Sequence, residues 1–202
     1  MEESGTRAME HLDKKDGGEE NRLKPAGQGK ENTEKENMEK ENMERQNMET
    51  QDRQKTDYGL LCRQMEALAE GVSWDMTNLS NGAALLYDSL SCINWAGFYL
   101  FREGRLMLGP FQGKPACTEI SMGKGVCGTA AAEDRTVLVE DVHLFPGHIA
   151  CDSASRSEIV VPLHKNGALY GVLDLDSPVT FGFSERDRQG LEQFAAILEQ
   201  YI

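Results

Sequence analysis

The first 57 residues of the 202-residue chain contain no Phe, Tyr or Trp; the seven Phe, five Tyr and two Trp all lie from Tyr58 onward. A segment so poor in apolar side chains buries too little to offset the entropy of ordering. Residues 1–57 are therefore expected to form a disordered, low-complexity acidic tail. Basic charge is also scarce: 21 Lys and Arg face 34 Asp and Glu, for a formal charge of −13. That balance excludes general nucleic-acid binding, which needs a basic footprint to displace phosphate counterions. The deficit is shared, with 16 acids and 11 bases in residues 1–57 and 18 and 10 in residues 58–202. No run approaches the roughly 20 apolar residues that span a bilayer, so no membrane association is expected. The opening Met1-Glu2-Glu3-Ser4 lacks the positive and apolar regions of a signal peptide. Close cysteine pairs are missing too. An odd set of five (Cys62, Cys92, Cys117, Cys127, Cys151) without an export signal argues against a disulfide framework. It points instead to working thiols in a reducing, cytoplasmic compartment.

What the tail does contain is a pentapeptide repeat, Lys35-Glu-Asn-Met-Glu followed by Lys40-Glu-Asn-Met-Glu and its variants. A period of five advances about 140° per repeat on a helix, so Met38, Met43 and Met48 cannot form one stripe and a coiled coil is excluded. Glu31–Lys35, Glu36–Lys40 and Glu41–Arg45 are correctly ordered i,i+4 pairs that support only fleeting helicity.

Residues 58–202 alternate differently. Leu61, Met65, Leu68 and Ala69 recur at helical spacing before Gly71, and a second helix carries Met76, Leu79, Ala83, Leu86 and Leu90 with Asp75 as its cap. Strands are expected over 93–101, 105–111, 117–121, 136–139, 159–163 and 168–175, with Lys165-Asn166-Gly167 as a hairpin turn. A short alanine-rich helix over 126–133 and a last helix capped by Ser184 complete the plan. Helices, hairpins and no βαβ alternation indicate an α+β fold with a largely antiparallel central sheet flanked by helices. The polar stretch from Glu140 to Ser157 has no periodicity, and a loop that long is usually functional.

Three cysteines fall in polar, glycine-rich contexts, whereas Cys62 and Cys92 sit where core packing is the natural role. Cys127 follows Gly123-Lys-Gly-Val and opens a helix, where backbone N–H groups and the helix dipole favour a thiolate. Cys151 lies in the long loop with His143 and Arg156 nearby, and Cys117 heads a strand. Three readings stand side by side. The thiols are unremarkable; or they bind zinc with His143 or His148, although gaps of nine and twenty-three residues are poor for zinc; or they perform thiol redox chemistry, which requires only convergence in space. Asp174 and Asp176, two apart on a strand, share a face, and their repulsion raises one pKa and favours a proton donor or a cation site; a solvated edge is the plain alternative. Glu158 begins the neighbouring strand. A pocket lined by these three carboxyls would attract an ammonium group; Trp95 and Tyr99, four apart on one face, could supply its apolar wall, with ordinary core packing as the commoner use of either aromatic.

These residues resemble a known family. Asn94-Trp-Ala-Gly-Phe-Tyr99, Leu108-Gly-Pro-Phe-Gln-Gly-Lys-Pro-Ala-Cys117, Gly123-Lys-Gly-Val-Cys-Gly128, Gly147-His-Ile-Ala-Cys-Asp152, Ser157-Glu-Ile-Val160 and Gly171-Val-Leu-Asp-Leu-Asp-Ser177 are similar to the free methionine-(R)-sulfoxide reductases, enzymes built on a GAF domain. The resemblance covers residues 58–202, the expected GAF domain. It implies reduction of free L-methionine (R)-S-oxide, with Cys151 as nucleophile, Cys117 resolving its sulfenic acid as a disulfide, and Cys127 as third thiol and second candidate resolver. It further implies that Glu158, Asp174 and Asp176 hold the amino acid and assist protonation of the departing oxygen, while Trp95 and Tyr99 enclose the S-methyl end. Thioredoxin is the implied reductant, with no flavin, nicotinamide or metal cofactor, and relatives suggest a homodimer. The alternative is a GAF module that senses a small ligand or redox state without turnover.

Overall fold

The computed structural model describes residues 56–147 and 153–202; the expectations for the tail, and for His148 and Cys151, lie outside these residues. The described part opens with two helices, α1 (Tyr58–Ala69) and α2 (Asp75–Ser89), as the 3.6-residue periodicity predicts. The hairpin β1 (Trp95–Arg102) and β2 (Arg105–Gly113) turns at Glu103-Gly104, and β3 (Glu119–Ser121) leads into α3 (Gly125–Glu133). After β4 (Val137–Val139), the hairpin β5 (Ser157–Lys165) and β6 (Ala168–Ser177) precedes α4 (Glu185–Leu198). Six strands form one sheet in the order β3-β2-β1-β6-β5-β4. Every pairing is antiparallel. The expected turn at Asn166-Gly167 is present, and both residues take positive φ (54° and 77°), as the twist of a tight hairpin demands.

The sheet has two apolar faces. Ala96, Phe98 and Leu100 of β1 alternate with Trp95 and Tyr99, and the two sets enter different cores. The first face carries Phe98, Ile159, Val161, Leu173 and Leu175 against Leu61 and Met65 of α1, Leu79 and Leu86 of α2, and Leu191 and Phe194 of α4. Each such fully buried side chain contributes roughly 1.5–3 kcal/mol relative to an exposed one. The second face carries Trp95, Tyr99, Val160 and Val172, covered by Val126, Cys127, Ala130 and Ala131 of α3. This second face holds the candidate site.

Several local expectations change. Asp75 does not cap α2: Trp74 occupies the cap position without a side-chain bond, and Asp75 is the first helical residue. Its carboxylate is drawn into tertiary contacts, accepting from Lys165 Nζ at 2.6 Å and Tyr170 Oη at 3.0 Å. Ser184 does cap α4, in a reciprocal capping box with Asp187. Cys62 and Cys92 are half-buried: Cys62 packs against the first core, and the Cys92 thiol donates to the Gly182 carbonyl at 3.7 Å. The stretch after Glu140 contains a 3-10 turn, Val142–Leu144, and Ser157 belongs to β5. Among the described residues, no helix is long and apolar enough to cross a membrane.

Candidate active site

The two central strands supply the carboxyls. Register pairs Glu158 with Asp176 and Val160 with Asp174 across β5 and β6, and Asp174 with Gly97 across β6 and β1. Asp174 therefore lies mid-sheet, not on the solvated edge that its sequence alone allowed. Glu158 is 6% exposed and Asp174 is 5% exposed, while Asp176 is half-buried at the strand's end.

Glycines let the cover close over them. Gly128 on α3 approaches β3 so closely that a Cβ there would lie 2.3 Å from the Ser121 carbonyl oxygen. A larger residue would lift the helix that carries Cys127. Gly97 leaves room for the aromatic wall: a Cβ there would meet Phe111 Cβ at 2.4 Å and Trp95 Cη2 at 2.6 Å. The Trp95 ring lies flat over that gap, stacked on Tyr99 at 5.9 Å between centroids and on Phe111 at 5.4 Å. Phe111, which lies within the Leu108–Cys117 motif but is not among the residues assigned to the site from sequence, is a wall residue; its signal is the glycine opposite it in register.

With α3 seated, Cys127, Glu158 and Asp174 converge, their Sγ and carboxyl oxygens all within 4.8 Å of one another. The Cys127 thiol donates to Glu158 Oε1 at 3.7 Å. Burial pushes the Glu158 carboxyl well above the usual carboxylate range, and the charge of Asp174 adds to it. Burial raises Asp174 to about 7, partly offset by hydrogen bonds from Cys127 and Glu158. The Cys127 thiol is pushed well up by burial, then by Asp174 and Glu158. This corrects the expectation of a thiolate at that helix start. The third residue of α3 is covered by the sheet and faces two acids, and these outweigh the helix dipole. One carboxyl oxygen, Asp174 Oδ1, is buried without a hydrogen-bond partner. The same three groups are close enough to share a metal ion, but each would first have to lose its proton. His143, named in the zinc reading, is exposed in the 3-10 turn.

Cys117 is half-buried on the connection between β2 and β3. Its carbonyl accepts the Tyr99 hydroxyl at 3.1 Å, and the Trp95 indole N–H donates to the Lys114 carbonyl at 3.1 Å. The arms of the long loop are pinned as well. Val142 N–H donates to the Arg156 carbonyl at 2.9 Å, Arg156 N–H to the Ser177 carbonyl at 2.8 Å, and Asn94 Nδ2 to Ser155 Oγ at 3.2 Å.

A buried acid pair with elevated proton affinity, beside a thiol and under an aromatic stack, suits delivery of protons to a small polar molecule. Comparison with known proteins gives the family. The GAF domain family model matches residues 61–202. The free methionine-R-sulfoxide reductase of Escherichia coli is 52% identical over 145 residues, spanning 72% of this chain and 88% of its own. The fRMsr of Staphylococcus aureus in its reduced form superposes with a TM-score of 0.71 at 52% identity, over 72% of this chain and 95% of that one. The Neisseria meningitidis free methionine-R-sulfoxide reductase, solved in complex with its substrate, gives 0.69 at 45% identity, over 71% and 87%. The chain belongs to the GAF domain family, in its branch of free methionine-R-sulfoxide reductases.

Proposed function

We propose that the protein reduces free L-methionine (R)-S-oxide to L-methionine. The observation that carries this reading is the buried pair Glu158 and Asp174, held protonated or nearly so at neutral pH beneath the Trp95–Tyr99 wall. Sulfoxide oxygen is a poor leaving group, and a carboxylic acid kept neutral near pH 7 is a suitable proton source. The Cys151 thiolate attacks the sulfoxide sulfur, the oxygen takes one proton from the acid pair and passes as hydroxyl to the Cys151 sulfur, and methionine leaves with Cys151 as a sulfenic acid. Cys117 then displaces water to form a disulfide. Cys62, Cys92 and Cys127 are free thiols. Cys127, buried and protonated, fits a supporting role better than that of first nucleophile, and stays the second candidate resolver.

The orphan Asp174 Oδ1 suits the ammonium group of a free amino acid, with Asp176 adding negative potential at the strand end. A thioredoxin-type dithiol restores the thiols, and the working unit is a cytoplasmic homodimer. The three carboxyls at the site, Glu158, Asp174 and Asp176, repel a phosphate, which disfavours the alternative of a nucleotide-sensing module. Incubating the full chain with free methionine sulfoxide and dithiothreitol tests the proposal. Methionine should form with wild type and not with Cys151→Ser; no methionine from wild type, or full activity in the variant, would overturn it.

A further inference from the structure

Cys117 stands outside the sheet, on a connection whose backbone has few ladder bonds to hold it. Part of its restraint comes from β1. Trp95 Nε1 donates to the Lys114 carbonyl and Tyr99 Oη to the Cys117 carbonyl, each at 3.1 Å. Just beyond, Leu108 N–H of β2 donates to the Thr118 carbonyl at 3.0 Å. The two side-chain donors are rigid. Trp95 is 2% exposed and Tyr99 is 1% exposed, and Trp95 is stacked between Tyr99 and Phe111. Their hydrogen bonds grip the connection at two carbonyls three residues apart, with Ala116 and Cys117 packed against the same core cluster.

We infer that Trp95 and Tyr99 are positioning residues for Cys117: the rings that wall the pocket also fix, through two backbone carbonyls, where the resolving thiol waits. This rests on the reading of Cys117 as the resolving cysteine. The step served is Cys117–SH plus Cys151–SOH giving Cys117–S–S–Cys151 plus water. An S–S bond forms and the sulfenic S–O bond breaks. The Cys117 proton leaves with the hydroxyl, and no further oxidant is consumed. Such a step gains from a pre-placed thiol, because orientation replaces a search through loop conformations. Neither aromatic residue would be assigned this role from a lining position alone, since a wall needs only the ring. The indole N–H and the phenol O–H are directed at the cysteine segment instead.

Tyr99→Phe keeps the ring and removes the donor; Trp95→Phe removes the other donor. Rapid-quench single turnovers of the full reduced chain with free methionine sulfoxide, without added reductant, report methionine formed and thiols lost separately. Dimedone in a parallel series traps sulfenic acid on Cys151. In wild type, thiol loss should keep pace with methionine. In Tyr99→Phe, disulfide formation should lag methionine release by about five- to tenfold, the cost of one directed hydrogen bond, with a dimedone adduct on Cys151. Trp95→Phe should show a lag of the same sign. A second series replaces the sulfoxide with hydrogen peroxide, which converts the Cys151 thiol to sulfenic acid and water, and so times the resolving step alone. A lag in that series supports the positioning role even if wild type forms no methionine, a result that would overturn the proposed reductase and not this inference. Disulfide formation at the wild-type rate in both variants, or both steps slowed by one common factor, would overturn it.

Discussion

Asp174 is raised from 3.8 to about 7 by burial, and that fixes the sign of two pH responses. As the proposed proton donor, Asp174 would work below its folded value, so methionine formation should fall as pH rises through about 7. Asp174→Asn should remove that falling limb and cost roughly a hundredfold or more in rate. Stability moves in the same direction. The native state holds this proton more tightly than the unfolded chain, so stability is lost as pH rises from about 4 to about 7. Thermal midpoints at pH 5 and pH 8 should therefore lie further apart in wild type than in Asp174→Asn; equal gaps would contradict the account. Cys127 gives a second residue-level prediction. With its thiol buried and raised, iodoacetamide at neutral pH should leave its peptide unmodified until the chain is unfolded; rapid native labelling, read by mass, would contradict the burial. The pairing of Trp95 with Tyr99, and of Asp174 with Asp176, was legible from strand alternation. The protonation state of Cys127 was not, because it depends on what covers the helix start, and that is set by Glu158 and Asp174 from distant parts of the chain.

Helix and sheet elements were largely readable, since their periods of 3.6 and 2 record which side chains face a core. The elements that went astray did so for tertiary reasons. Asp75 has the composition of a cap but is held by Lys165 and Tyr170, ninety or more positions away. The cover of α3 depends on Gly128, whose partner is a backbone oxygen no pattern reports. The contact between α1 and α4 is equally specific. Tyr58 lies against Gly190, where a Cβ would come within 2.1 Å of its ring, and its hydroxyl donates to buried Asp187 at 2.8 Å. Gly190→Ala should force the two helices apart and destabilise the domain by about 1–3 kcal/mol, measured as a lower urea midpoint. An unchanged midpoint would show that the helices tolerate separation.

Taken as a whole, the described core draws on α1 through α4 and all six strands, with none of its residues N-terminal to Tyr58. Asp57 belongs functionally to the folded part, because its side chain accepts the Leu60 N–H and caps α1 at 2.9 Å. Removing residues 1–55 should leave both the melting transition and methionine formation within about twofold of the full chain; a larger loss in either would give the acidic repeat a direct role. The family could be named from motifs spread along the chain, whereas the acid pair's proton affinity and the grip of β1 on Cys117 became visible only with the sheet assembled. If Cys151 and Cys117 act as proposed, one sulfoxide oxygen is removed at the expense of two thiols in a single chain. Reduced protein in excess of free L-methionine (R)-S-oxide, with no other reductant, should yield one methionine and lose two titratable thiols per sulfoxide consumed. Methionine formed without thiol loss, or no methionine at all, would contradict it.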